Sequence, residues 1–373
     1  ARVAAEVGSD NNSSDYPSRL LLGGDYALTE SSNVFAQQEF SFGNSQDVQM
    51  TRVGVKTSPW KNANAYSSVS NEHSEYGPRT YSSMGLTQGF DLNERWRLDF
   101  GFERSHTISD GTTTPFNVNV PSASGSANDD FTALSLGAAY RTTLWSMTSR
   151  ADFREGDLED KLALLLGIYH EPKPGFGLAA SLKHFDTNRS NGTQTTQTSV
   201  EFSLASRPVT SQWILLDKIR FAHEEDTGIG TDIDTTKVVN NFNANYLYNR
   251  RNQVAFNHGI KYVKDQFDIG SYSGTTQLFG TEYRHDINNH WDVATQASML
   301  LSDVGDSRRY SYGVSVGHSF AKNVWLSIGF NFAGFNDDDF SAANYTSQGL
   351  YVKFRFAFDQ ATVREGLAWW ENR

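Results

Sequence analysis

The sequence contains no cysteine, only 8 prolines among 373 residues, and no run of about 18 consecutive apolar residues. Without such a run, a membrane-spanning helix is excluded. The absence of cysteine fits an oxidising compartment, where a stray thiol is a liability. Acidic residues outnumber basic ones, 43 to 32, which gives a formal net charge of −11. This balance argues against a nucleic-acid partner, because binding to phosphates requires a basic stripe.

What the sequence does contain is a regular alternation of apolar and polar residues near its C-terminus. In residues 349–358, the apolar positions are Leu350, Val352, Phe354, Phe356 and Phe358. A β-strand places successive side chains on opposite faces, so one face of this segment is apolar and the other is polar. The pattern recurs along nearly the whole chain, which requires an apolar surround on one side and water on the other. A transmembrane β-barrel meets both conditions, and it tolerates the polar mean hydropathy of −0.52 because only alternate residues meet lipid.

Alternation of period two, interrupted by clusters of Gly, Asn, Asp, Ser and Pro, predicts the positions of the strands. The predicted strands cover residues 18–29, 32–43, 47–57, 62–72, 79–90, 95–107, 129–143, 145–155, 161–170, 175–186, 194–205, 212–223, 235–248, 252–265, 274–286, 290–301, 307–319, 322–334 and 346–358. Short turns and longer polar loops mostly alternate between them. Outer-membrane barrels have short periplasmic turns and long outer loops, so this alternation assigns the two sides.

An even number of strands leaves both chain ends on one side, as in single-chain bacterial barrels. Residues 1–7 alternate weakly and supply one further strand, which gives about 20 strands. The sequence therefore predicts an all-β fold, a transmembrane antiparallel up-and-down β-barrel over residues 1–360. It is expected in the bacterial outer membrane with both termini periplasmic. Residues 361–373 form a periplasmic tail, read as either a short helix or a frayed end.

Charged residues on the polar face of the first third and of the last strand are the candidate lumen-lining residues. They are Arg97, Asp99, Glu103, Lys353 and Arg355. Because both signs are present, these residues fit an ion-paired wall, with a selectivity ring for a solute as the alternative. The sequence shows no zinc-binding histidine spacing and no phosphate-binding loop, so no cofactor and no metal are expected.

Tryptophans concentrate near one set of turns. Trp60, Trp96, Trp145, Trp213, Trp291 and Trp325 all lie at or near the predicted short turns. Tryptophan and tyrosine form girdles where lipid meets water, so these residues predict the periplasmic interface.

The long loops are predicted to face the cell exterior. Residues 108–127 and 335–345 are long, polar and opposite the tight turns, so we expect both at the cell surface. Acidic runs at residues 129–130, 224–226 and 337–339 lie in such loops. They are interpreted as solvated, with a divalent-cation site as the alternative.

One motif points to an enzyme. Residues 313–317 match the G-x-S-x-G pattern of serine hydrolases, and His318 follows. That chemistry needs the serine on a sharp strand-to-helix turn. Ser315 instead lies inside an alternating segment with no predicted helix after it. The sequence therefore predicts a protein that is not an enzyme, with an outer-membrane hydrolase kept as an alternative.

Two sets of residues resemble known families. The segment ending at Phe358 is similar to the C-terminal assembly signal of bacterial outer-membrane proteins, although 15 residues follow it. Four segments resemble the barrel region of very large proteobacterial surface proteins that carry Ig-like repeats: residues 213–218 (WILLDK), 238–245 (VVNNFNAN), 280–286 (GTEYRHD) and 334–346 (GFNDDDFSAANYT). The resemblance covers roughly residues 80–365. It implies an outer-membrane anchor or translocation barrel and brings no catalytic residues.

The expected function is therefore an outer-membrane barrel that serves as an anchor or conduit for a larger surface or periplasmic assembly. A general diffusion porin or solute channel is the alternative. The expected partners are outer-membrane lipid and lipopolysaccharide, together with a surface or periplasmic protein, and no nucleic acid. An open lumen favours the porin, whereas a filled lumen favours the anchor.

Overall fold

The fold is all-β, an antiparallel up-and-down sheet. The computed structural model describes residues 2–6, 18–42, 47–74, 77–111, 130–208, 210–228, 230, 232–321, 324–343 and 346–356. In that part of the chain, the helical segments are two 3-10 turns, Val304–Asp306 and Ser341–Ala343. None of the described helices is long and apolar enough to cross a membrane.

The described residues form twenty strands. They are β1 (Arg2–Glu6), β2 (Ser18–Ala27), β3 (Ser32–Phe42), β4 (Asp47–Thr57), β5 (Ala63–Ser74), β6 (Gly77–Asp91), β7 (Trp96–Asp110), β8 (Phe131–Arg141), β9 (Trp145–Gly156), β10 (Glu159–Lys173), β11 (Phe176–Arg189), β12 (Gln194–Ser206), β13 (Trp213–Thr227), β14 (Ile233–Asn249), β15 (Asn252–Phe267), β16 (Gly270–Asp286), β17 (Trp291–Ser302), β18 (Ser307–Ala321), β19 (Val324–Ala333) and β20 (Gly349–Phe356).

The chain divides into two compact units. Unit 1 comprises Ala1–Ile168, Leu182–Thr198 and Glu224–Asp232, and unit 2 comprises Tyr169–Ser181, Ser199–His223 and Ile233–Arg373.

In unit 1, strands β1 to β9 each pair antiparallel with the next strand along the chain. The weakly alternating N-terminal segment is indeed a strand, since Val3 lies opposite Leu22 in the β1–β2 ladder. The register pairs residues of the polar face with residues of the polar face on the neighbouring strands. Glu103 of β7 lies opposite Gly85 of β6 and Ala133 of β8.

In unit 2, strands β14 to β20 follow the same rule of antiparallel pairing between neighbours. The predicted alternation is confirmed here. On β20, the exposed fractions of Leu350, Val352 and Phe354 are 72%, 55% and 64%, whereas Tyr351 and Lys353 are only partly exposed. One face of the ladder is therefore a sheet of exposed apolar side chains, and the other carries the polar ones.

Each unit carries an apolar face of this kind. In unit 1 its exposed members include Val53, Val69, Met84, Phe90, Leu134, Leu136 and Phe153, and in unit 2 they include Val314, Val316, Ile328, Phe330 and Phe332. Water-soluble monomers rarely leave so many large apolar side chains exposed on contiguous strands, so this face is suited to an apolar surround.

Several tight turns are stabilised by the same pair of hydrogen bonds to an asparagine side chain. The Oδ1 atom of Asn93 accepts hydrogen bonds from the backbone N–H groups of Arg95 and Trp96, at 2.9 and 3.0 Å. Asn249 and Asn288 make the equivalent pair of bonds in their own turns. A short side-chain acceptor thereby takes the place of a backbone partner, which is why asparagine is favoured in such turns.

Strand boundaries differ from prediction mainly at the loop ends. Strand β7 continues to Asp110, β14 begins at Ile233 and β16 begins at Gly270. These extensions are rich in Asp, Ser and Gly, which the sequence rules assign to loops. The ladder continues because backbone groups bond whatever the side chains are. The predicted tail helix at 361–373, loop residues 112–127 and strand positions 357–358 lie outside the described residues.

Candidate functional site

The main candidate site in unit 2 is the segment between β19 and β20, residues 334–348, of which 344–345 lie outside the described residues. We call it the docked loop. It packs against the polar face of β14 to β18, where the pairing register places Lys237, Gly259 and Leu278.

Apolar contacts form the centre of this packing. Phe335, Phe340 and Ala343 of the docked loop are 4%, 0% and 0% exposed, and they form one buried cluster with Val239, Leu278 and Leu300 of the sheet. The ring of Phe340 lies over Gly259, where an added Cβ would be 2.5 Å from the ring. Only glycine leaves room for the ring at this point. Burial of each phenylalanine contributes about 1.5–3 kcal/mol, which is the main force that holds the loop.

Ion pairs surround the apolar centre. The carboxylate of Asp339 lies 3.2 Å from Arg220, 3.1 Å from Lys237 and 3.2 Å from Lys261. Asp337 lies 2.7 Å from the same Lys261 ammonium. The carboxylates of Asp337 and Asp339 are 12% and 18% exposed, so these pairs are screened less than surface pairs are.

Hydrogen bonds satisfy the backbone of the loop. The amide of Asn241 donates to the Asp339 carbonyl and accepts from the Ser341 N–H, at 3.3 and 3.2 Å. The hydroxyl of Thr346 donates to the carbonyls of Phe335 and Ala343, at 2.7 and 2.8 Å. A loop that packs away from water needs such partners.

The docked loop corrects one expectation. The acidic run 337–339 was expected to be solvated, and this is wrong for Asp337 and Asp339, whose side chains are 12% and 18% exposed. The expectation that residues 335–345 lie at the cell surface stays a prediction. Asn336 and Asp338 remain exposed, but their neighbours Phe335 and Phe340 are buried. The physical reason is that apolar residues occupy polar-face positions on both sides of the contact, and each covers the other.

Ion pairing lowers the pKa of Asp339. Burial raises this pKa, but the hydrogen bond and charge of Lys237, together with Lys261, outweigh burial and bring the net value below 3.8. Arg220 also faces this carboxylate. Asp337 shares Lys261 with it and accepts a hydrogen bond from the Asp339 backbone N–H. Because the docked pKa is lowered, the ion pairs stabilise docking above the ordinary Asp range. That contribution is lost as the pH falls through the lowered value.

We therefore predict acid release of the docked loop. Pepsin should cleave at Phe340 more readily at a pH well below the ordinary Asp range than at a pH of about 4.5, because protonation of Asp339 removes its three ion pairs. Mass spectrometry of the fragments measures this. The variant Asp339→Asn should be cleaved at both values, whereas Asp338→Asn should match the wild type. Cleavage of the wild type that does not change between the two values would contradict the assignment.

In unit 1, the candidate residues of β7 lie on the polar face in contact with neighbouring side chains. The guanidinium of Arg97 pairs with Asp99 at 3.0 Å, with about half of each side chain exposed. The hydroxyl of Tyr66 donates to Glu103 at 2.6 Å. The sequence had favoured such an ion-paired wall over a selectivity ring, and an exposed pair of this kind contributes at most about 1 kcal/mol.

Two cavities adjoin these side chains in unit 1. The larger, of about 720 Å³, is lined by Lys56, Tyr66, Glu103, Arg150, Asp152 and Lys161, among others. The other, of about 680 Å³, includes Arg97 and Asp99. Both volumes are in the range of small-molecule sites. Arg150 pairs with Asp152 at 2.8 Å, so this part of the wall also carries both signs.

In unit 2, Lys353 lines a small cavity on the polar face with Glu282, Arg284, Asp292 and Trp325. The backbone register places Arg355 opposite Trp325.

Trp325 was expected in the interfacial girdle, and that expectation is wrong. Its indole N–H donates to Asp292 at 3.0 Å and Arg284 stacks over its ring. The reason is that residue 325 lies on the same face of β19 as Ser327, which is the polar face. The other five tryptophans of the predicted set are 40–58% exposed.

Ser315 occupies the middle of the continuous strand β18, opposite Ala294 and Gly329. Its side chain is hydrogen-bonded to Tyr351 on the polar face. His318 packs against Trp291 on the other face, with ring centroids 4.3 Å apart. The serine and the adjacent histidine therefore point to opposite sides of the sheet.

Comparison with known proteins gives only remote similarity. No protein-family model and no curated protein sequence matches the chain. An anion-selective porin from Comamonas acidovorans is 15% identical with a TM-score of 0.37, over 83% of this chain and 100% of the porin. The siderophore receptor PirA from Pseudomonas aeruginosa is 9% identical with a TM-score of 0.45, over 92% and 71%. These TM-scores are low, and no function is transferred from these proteins.

Proposed function

We propose that the chain is an outer-membrane β-barrel that serves as an anchor or conduit for a larger surface or periplasmic assembly. One observation carries the membrane part of the proposal. Neighbouring strands in each unit expose large apolar side chains on one face and collect polar side chains on the other. Lipid and lipopolysaccharide are the partners that such an apolar face requires.

The proposed topology rests on strand parity and the turns. An even number of strands in an up-and-down order would return both termini to one side, and the twenty strands of the described residues fit this count. The exposed Trp96 and Trp291 begin strands just after tight turns. Tryptophans at that level support a periplasmic interface on the turn side.

We predict that an epitope tag inserted at Gly111 will be reached by antibody on intact cells. Gly111 follows β7 on the side opposite the tight turns, whereas Asn289 lies within one of those turns. A tag at Asn289 should bind antibody only after the outer membrane is permeabilised. The opposite labelling pattern would invert the topology.

The docked loop supports an anchor or a restricted conduit rather than a wide diffusion pore. It covers the polar face of β14 to β17 with buried apolar contacts, and a weakly selective pore would leave this face to water. The general diffusion porin is the second candidate, supported by the unit 1 cavities lined with both charge signs. Single-channel recording in planar bilayers separates the two. Large, weakly selective conductance by the wild type would overturn the anchor and favour the porin.

We propose no catalytic role for Ser315. The variant Ser315→Ala should leave any ester- or lipid-hydrolysing activity of the purified protein unchanged. The reason is that the Ser315 hydroxyl is hydrogen-bonded to Tyr351 on the polar face, whereas His318 lies on the opposite face. Selective loss of such activity in this variant, with normal assembly, would support a hydrolase.

A further inference from the structure

The docked loop occupies a cluster of three cations that face one another on the sheet. Arg220 of β13, Lys237 of β14 and Lys261 of β15 converge on one loop carboxylate within 3.2 Å. Among the described residues, their ion-pair partners are Asp337 and Asp339 alone. Three positive charges on neighbouring strands repel one another, so this surface attracts an anion when the loop leaves.

We infer that Arg220, Lys237 and Lys261 form a binding site for small polyvalent anions bearing two carboxylate or phosphate groups. The loop fills this site with its own Asp337 and Asp339 and is displaced when such an anion binds. The inference goes beyond the proposed membrane role, and it does not depend on whether the chain conducts ions.

The spacing of the loop carboxylates defines the ligand. The ammonium of Lys261 contacts Asp337 at 2.7 Å and Asp339 at 3.2 Å, so two anionic groups share one cation. Arg220 and Lys237 also contact the second group, the Asp339 carboxylate. A guanidinium with two ammonium groups suits carboxylate and phosphate oxygens equally well. A monovalent anion such as chloride replaces only one of the two loop carboxylates.

Displacement is a competition between a free anion and the carboxylates of Asp337 and Asp339, which the chain tethers to the site. A tethered group acts at an effective concentration on the order of millimolar for a short flexible link. A divalent ligand present at millimolar concentration therefore competes with the loop, provided that it makes the contacts of both carboxylates. The side chains of Asp337 and Asp339 are 12% and 18% exposed, so the ion pairs are not sealed from water.

The experiment uses the full chain in detergent micelles, with sodium pyrophosphate as the probe. The sequence has no cysteine, so Ala343→Cys introduces a single thiol at a fully buried loop position. Pyrophosphate should accelerate maleimide labelling of this thiol about tenfold at millimolar concentration. Sodium chloride at equal ionic strength should give a much smaller change. The exposed Asn336→Cys should label at a constant fast rate.

Direct binding without a cysteine provides the second test. Calorimetric titration with pyrophosphate should show about tenfold tighter binding to Asp339→Asn than to the wild type, because one competing carboxylate is gone. Asp338→Asn should bind like the wild type, and the double variant Arg220→Gln/Lys237→Gln should not bind. Equal labelling rates in pyrophosphate and chloride would overturn the inference, as would binding to Asp339→Asn that is no tighter than to the wild type. Absence of conductance in bilayers would count only against a conduit.

Discussion

Arginine at Ile328 or Val352 should largely abolish assembly of the folded protein, whereas arginine at Ser327 should be tolerated. Ile328 and Val352 are paired in the middle of β19 and β20, and both are more than half exposed on the apolar face. Arginine at the bilayer midplane costs roughly 2–4 kcal/mol, which lowers the folding equilibrium constant about thirtyfold or more. Ser327 is the adjacent residue on the polar face, opposite Gly317 and Lys353.

The yield of heat-modifiable, protease-resistant protein in outer-membrane fractions measures this prediction. Ser327→Arg is the matched control, because it introduces the same side chain one position away. If all three variants assembled with equal yield, the face assignment would be wrong.

The second large effect concerns the docked loop. Replacing residues 334–346 with Asn-Gly would join β19 and β20 through a two-residue hairpin turn and keep their register. If the strands close into a barrel of about twenty, as proposed, the uncovered interior is wider than that of 16- to 18-stranded porins. Single-channel conductance should then rise several-fold. The variant should still assemble, because no residue of the exposed apolar face is altered.

A control variant distinguishes the effect of removing the docked loop from the effect of changing its exposed side chains. Substituting serine for Asn336 and Asp338, which are exposed, leaves buried Phe335 and Phe340 in place. This variant should conduct like the wild type. Unchanged conductance after the hairpin replacement would mean that the docked loop does not restrict the passage of ions.

The strands could be predicted from the sequence because lipid-facing and polar positions alternate with the period of the strand itself. Strand β4, for example, covers residues 47–57 as the alternation alone predicts. The loop-side ends could not be predicted, because the polar residues of β7 and β16 extend a ladder that depends on backbone hydrogen bonds.

The docked loop could not be predicted by composition rules, because its three consecutive acidic residues indicate a solvated segment. A signal was nevertheless present. Val239, Leu278 and Leu300 are apolar residues at polar-face positions, and Phe335 and Phe340 are apolar residues in an acidic loop. Each set alone violates the pattern, and together they imply a contact. The positions of Lys237 and Lys261 beside that contact follow only from the register.

Spin labels introduced one at a time at residues 350–354, in protein reconstituted into liposomes, test the central claim most directly. The cysteine-free sequence allows each label to be placed without background. Leu350, Val352 and Phe354 should be accessible to lipid-soluble oxygen, and Tyr351 and Lys353 should be accessible only to a water-soluble relaxation agent. The accessibility should thus alternate with a period of two residues. Uniform exposure to the water-soluble agent across all five positions would contradict a membrane-spanning sheet.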